Sequence, residues 1–217
     1  MQLDDLNREY DKLQRIYGEP SLNSIYNGGK KENPDICFVF MNPTGRNVAS
    51  LPSWDGPRSP WIGTKNIWDL FYAVKLFPKR TYDKIKEMKP DDWTPDFSRK
   101  VYSEIEKKNC FITNLAKCTQ KDARVLEDKV FKSYLSLFEQ EISIIHPKII
   151  ILFGNQVSSI FLNQKISVSQ VRKTPFEKII DGVSYKCYCI YYPIGNGRFN
   201  IDKSIEDIKW IRKKENV

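Results

Sequence analysis

The sequence predicts an α/β fold: a three-layer sandwich whose central, mainly parallel four-stranded sheet is flanked by helices. Three observations carry this expectation. Four short apolar runs of strand length are separated by stretches with helical spacing. Within 35–41 and 148–154 the runs "ICFVF" and "IIILF" are apolar at consecutive positions, as in strands buried on both faces of a parallel sheet. Strand and helix also alternate along most of the chain, the pattern of a sheet covered on both sides.

In order, Leu3, Leu6, Tyr10, Leu13 and Ile16 mark an amphipathic helix over 3–17. "DICFVFM" (35–41) is the first strand. Residues 43–62, rich in Pro, Gly, Ser and Trp, read as a long ordered loop, and loops of this length are commonly functional. "NIWDLFYAVKLF" (66–77) reads as a helix stopped by Pro78. The charged, proline-broken segment 79–99 receives no assignment. "NCFITNLAKC" (109–118) is a second strand ending in Asn114, followed by an amphipathic helix from about Leu126 to Ile145. "KIIILFG" (148–154) is a third strand, with a short helix after its glycine. "YKCYCIYYP" (185–193) is a fourth, and "IDKSIEDIKWIRKK" (201–214) a closing amphipathic helix. The 217 residues are expected to form one domain, 1–217, large enough to bury a proper core.

Composition excludes several classes. No apolar run approaches the length of a membrane span, and the polar, acidic start "MQLDDLNREYDKLQ" resembles neither a signal nor a transit peptide. A cytoplasmic protein is expected. The five cysteines are odd in number and sit mostly in apolar runs, which suits reduced thiols. With no CxxC and a single histidine, a dedicated zinc or iron–sulfur site is not expected. The net charge of +8 is compatible with a polyanionic partner, although lysine-rich surfaces are common.

The strand ends carry the functional signal. The strands run out into "MNPTGRN", "TNLAKC", "LFGNQ" and "YYPIGNGRFN". In open parallel sheets ligands bind at the carboxyl ends of strands, so these ends would converge on one crevice. Read alone, each has a bland alternative: Asn, Pro and Gly make ordinary turns, and Asn114 suits an Asx turn or helix cap.

As an ordered set, these segments resemble the motifs of the uracil-DNA glycosylase superfamily. "FMNPTG" is similar to the Gly-Ile-Asn-Pro-Gly motif of its mismatch-specific branch. "PWIGTKNIWDL" resembles the Pro-Phe-Val-Gly segment of the iron–sulfur branch. "FITNLAKC" resembles that branch's Tyr-Ile-Thr-Asn strand ending in Lys-Cys, and "PKIIILFGNQVSSIFL" its Pro-Lys-Val-Val strand and helix. "YYPIGNGR" falls on its His-Pro-Ser-x-x-x-Arg motif. The chain departs from the pattern with Tyr192 in place of the histidine, Ile194 in place of the small residue, Asn42 where the iron–sulfur branch relies on a glutamate, and Cys118 as the sole match to a cluster ligand.

The resemblance implies a DNA glycosylase that removes uracil or another deaminated base, acting as a monomer on DNA without metal or cofactor. A base must leave the stack before its glycosidic bond can be reached. The family's pattern puts Trp61 in the role of stacker, Met41 beside it against the base, and Asn114 at the base edge, where a carboxamide offers a donor next to an acceptor. Asn42 would orient the attacking water, with Pro43 and Gly45 shaping its loop so that backbone amides approach base and sugar. Tyr192 would donate to the departing base. Arg46, Lys65, Lys117 and Arg198 are candidates for backbone phosphates, each equally readable as a solvated cation. A nucleic-acid-binding module that has lost catalysis, or an enzyme acting on free nucleotides, is the competing expectation.

Overall fold

A computed structural model describes residues 2–217. In chain order its elements are α1 (Leu3–Tyr17), β1 (Asn27–Gly29), β2 (Ile36–Phe40), α2 (Asn66–Ala73), α3 (Lys79–Glu87), α4 (Pro95–Glu106) and β3 (Cys110–Asn114). There follow α5 (Asp128–Ile145), β4 (Ile149–Phe153), α6 (Asn155–Leu162), α7 (Val168–Val171), β5 (Pro175–Ile180), β6 (Val183–Ile190) and α8 (Ile201–Glu215). Short 3-10 turns lie at Val48–Ser50, Pro90–Asp92 and Gly195–Asn200.

The sheet has six strands in the order β1-β3-β2-β4-β6-β5, which corrects the expectation of four. The four strands anticipated from sequence, β3, β2, β4 and β6, form a parallel centre. Two antiparallel edges were not anticipated: β1 along β3 and β5 along β6. Their sequences explain the omission. β1 is Asn-Gly-Gly, without an apolar side chain, and β5 is mostly exposed and opens on a proline, a residue that sheets tolerate at an edge.

Both faces of the centre are covered. Phe38, Phe40, Ile112, Ile151 and Phe153 turn toward α2, α3, α4 and α8. Cys37, Val39, Phe111, Ile150 and Leu152 turn toward α1, α5 and α6. Successive residues of a strand face opposite ways, so a strand between two helical layers must be apolar throughout. The segment 79–99 contributes α3 and the start of α4. Thr94 caps α4 by accepting from the Phe97 amide, and Trp93 is buried against Trp68 at a ring separation of 5.7 Å. The helix anticipated over 66–77 stops at Ala73, because Lys75 takes a left-handed conformation (φ 63°). His146 closes α5, and its Nδ1 lies 3.0 Å from the Tyr185 hydroxyl.

Among the described residues no helix is long and apolar enough to cross a membrane.

Candidate active site

The carboxyl ends of the parallel strands align. Phe40 is in register with Asn114, and Phe153 with Ile190. Phe40 stands at the centre: its ring stacks on Phe153 at 4.1 Å, meets the Trp61 indole edge-on at 5.0 Å, and meets the Tyr192 ring edge-on at 6.3 Å. Aromatic pairs at these separations prefer such offset and T-shaped geometries. Trp61 and Tyr192, far apart in sequence, are thus joined through one phenylalanine.

Asn114 is 2% exposed, and its Nδ2 has no hydrogen-bond partner. A buried amide donor left unpaired costs about 1–3 kcal/mol, so an orphan of this kind calls for an explanation. The indole Nε1 of Trp61 is likewise buried and unpaired. The Trp61 backbone is left-handed (φ 71°), a conformation that bulky residues rarely adopt and that concentrates at functional sites. It is held by the turn that follows, where the Thr64 amide and hydroxyl both donate to the Trp61 carbonyl, at 3.1 and 2.7 Å.

Asn42 sits half-buried at the head of the loop after β2, and its Nδ2 donates to the Pro43 carbonyl at 3.1 Å. The segment after β3 laces this loop in place. The Ala116 amide donates to the Met41 carbonyl, the Gln120 amide to Pro43, and the Gly45 amide to Gln120. The Gly45 N–H is therefore occupied within the protein. Glycine at 45 fits the tight approach of the two segments, since a Cβ there would lie 3.3 Å from the Lys121 carbonyl oxygen. Met41, half-buried, packs on the opposite side of the sheet from Phe40, with the α1–α5 layer. It does not join the aromatic cluster.

Tyr192 lies between two glycines. A Cβ on Gly154 would come 3.4 Å from its own Cβ, and one on Gly197 would overlap its carbonyl oxygen. Burial pushes its phenol well above the ordinary tyrosine range, so it remains a neutral donor.

Of the four candidate phosphate contacts, Arg46, Lys65 and Arg198 are exposed, on the loops carrying Asn42, Trp61 and Tyr192. The Lys65 ammonium donates to the Lys86 carbonyl at 2.7 Å. Lys117 contradicts its assignment. It is fully buried in an ion pair with the equally buried Glu141 at 2.6 Å, and cannot touch DNA.

Cys118 does not fit a cluster ligand. It is buried, the Gln120 amide lies on its sulfur at 3.7 Å, and burial raises its thiol, whereas a ligand must be a thiolate.

Two residues that sequence reasoning passed over complete the picture. Phe199, beside Arg198, is 94% exposed. Glu141 occupies a core position on the apolar stripe of α5, in step with Tyr134, Phe138 and Ile145. A lone carboxylate on such a stripe was the available signal.

An aromatic cluster and an orphan amide thus stand at the carboxyl ends of the parallel strands, the end at which open α/β sheets take up ligands, and three exposed cations lie on the loops that leave it. A family model described as the uracil DNA glycosylase superfamily matches residues 28–204, and the chain belongs to that superfamily, whose members are generally hydrolytic glycosylases. No curated protein matched the chain.

Proposed function

We propose that the protein is a monofunctional DNA N-glycosylase that hydrolyses the bond between deoxyribose and uracil, or another deaminated base, flipped from DNA. The observation that carries this reading is the unpaired, buried Nδ2 of Asn114, in register with Phe40 and so beside the aromatic cluster. Its partner is a carbonyl on the base edge. Cytosine and adenine carry an amine where their deaminated products carry a carbonyl, so they would leave two donors facing each other, the mismatch that buried sites reject most strongly.

In this reading the extruded base lies against Trp61, and Asn114 holds its edge. Asn42 orients a water toward the anomeric carbon. It cannot act as a general base, so the chemistry relies on departure of the base as a stabilised anion. Tyr192 hydrogen-bonds the charge that develops on it, the kind of preorganised donor that contributes most to catalysis. Lacking a carboxylate base, such an enzyme forgoes about 10²–10⁴-fold in rate. Arg46, Lys65 and Arg198 engage phosphates, and the protein works as a monomer without metal or cofactor.

Oligonucleotides bearing uracil, hypoxanthine or xanthine, in single and double strands, test this by alkaline cleavage at abasic sites. Release from at least one substrate is expected, and inertness on all of them would sink the reading. A second reading, a nucleic-acid-binding member of the superfamily with altered catalysis, draws support from the Asn42 amide resting on Pro43 and from Tyr192 in the histidine position. It predicts salt-dependent binding without product even at stoichiometric protein.

A further inference from the structure

Behind Asn114, on the α1–α5 side of the sheet, lies a closed polar network. Lys117 uses its three ammonium protons on Glu141 Oε2 at 2.6 Å, the Thr113 hydroxyl, and the Asn114 carbonyl at 2.6 Å. Glu141 Oε2 also accepts from the Tyr10 hydroxyl at 3.0 Å, and its Oε1 accepts from Thr113 at 3.1 Å and from the Asn27 amide at 3.0 Å. The ammonium further sits 5.0 Å from the Tyr10 ring centroid and 5.3 Å from that of Phe138. Burial pulls Lys117 below the ordinary lysine range, and the Glu141 carboxylate opposes that shift.

We propose that Lys117, paired with Glu141, is a positioning residue: it fixes the backbone of Asn114 so that the carboxamide keeps one orientation at the end of β3. This rests on the reading of Asn114 as the group that holds the base. Stability alone is a weak reason for such a pair, since apolar or neutral groups of similar volume often serve a core as well or better. What the pair does supply is geometric. Asn114 is the last residue of β3, and β1 has already left the sheet beside it: Asn27 is opposite Thr113, and the next amide, of Tyr26, turns to the Arg58 carbonyl. At that frayed corner the ammonium ties the carbonyl of Asn114 to the side chain of Thr113, while Glu141 ties Thr113 to α1, α5 and β1. The Nδ2 of Asn114 is left unpaired, and its main chain is held from behind.

Lys117→Met alone would leave Glu141 charged without a counter-charge, so the pair is exchanged as Lys117→Met with Glu141→Gln. Single-turnover uracil release should fall about tenfold, with DNA affinity unchanged. In an Asn114→Ala background the same exchange should add less than about a twofold loss, because its effect passes through Asn114. Thr113→Val, which removes the bridging hydroxyl and keeps both charges, should move the rate in the same direction. The side-chain amide resonances of Asn114, identified by their loss in Asn114→Ala, give a readout independent of catalysis. One sharp pair is expected in the native protein, and a broadened or doubled pair in the exchanged protein or in Thr113→Val. Wild-type release rates, losses that multiply with that of Asn114→Ala, or unchanged amide resonances would each overturn the proposal. A native protein inert on every substrate would instead count against the glycosylase reading, and the resonances would still decide the role of Lys117.

Discussion

Phe40 and Asn114 end neighbouring parallel strands in register, one presenting a ring to Trp61 and Tyr192, the other an amide donor without a partner. That adjacency separates the two roles of the site. Asn114 is a cost to the folded protein, and Phe40 supports it.

Removing the Asn114 amide should therefore harm activity more than it harms the fold. Asn114→Ala is expected to lower uracil release by about 10²–10³-fold, in the range of lost polar contacts at reacting groups. Thermal unfolding should show a melting temperature no lower than the native one, because the orphan donor is relieved. A large drop in melting temperature would show that the amide has a structural partner.

Phe40→Leu should show the opposite balance. It leaves an apolar residue but removes the stacking on Phe153 and the edge contacts to Trp61 and Tyr192, at about 0.5–1.5 kcal/mol per pair. Urea unfolding should register a loss of about 1–3 kcal/mol. Activity should fall as well, since both rings lose their shared support. Unchanged stability would mean that the cluster is incidental.

The contrast also shows what the sequence made legible. The parallel strands were readable because burial on both faces demands consecutive apolar residues, and the strand ends drew attention because all four ran into polar turns. The edges were not, since β1 has no apolar residue and β5 alternates, although Asp181-Gly182, with φ of 49° and 80°, carried a hairpin signal. Lys117 was misread because a lysine just beyond a strand normally faces solvent. Only the fold brings Glu141, on a helix 24 residues later, to meet it. Phe40 looked like one more core residue, because its role depends on Trp61 and Tyr192 arriving from distant loops.

Tyr192 should leave its mark on the pH profile. Its phenol lies above the ordinary range, so the neutral donor persists as pH rises, and its loss as an anion falls outside the usual assay window. Tyr192→Phe should slow release by the same factor from neutrality to about pH 10, the ordinary tyrosine value. A deficit that vanishes at the alkaline end would show that the phenol ionises there.

Phe199 should distinguish duplex from single strand. An almost fully exposed phenylalanine beside an arginine is costly to leave in water, and apolar wedges that enter a base step are how proteins hold a duplex open. Phe199→Ala should reduce release from double-stranded substrate about tenfold, leave single-stranded substrate nearly unaffected, and change stability by no more than about 0.5 kcal/mol. Equal losses on both substrates would place Phe199 outside the opening step.

Salt titration should sort the cations. Each phosphate contact releases counterions, so its removal lowers the slope of log affinity against log salt by about one. Arg46→Ala, Lys65→Ala and Arg198→Ala should each reduce that slope, because all three side chains reach solvent on loops that carry site residues. Exchanging Lys117 and Glu141 for Met and Gln should leave it unchanged, since a fully buried ammonium neutralises no phosphate. Fluorescence anisotropy of a labelled duplex across a salt series measures all four. A reduced slope in the exchanged protein would mean that Lys117 reaches DNA in a conformation different from the one described.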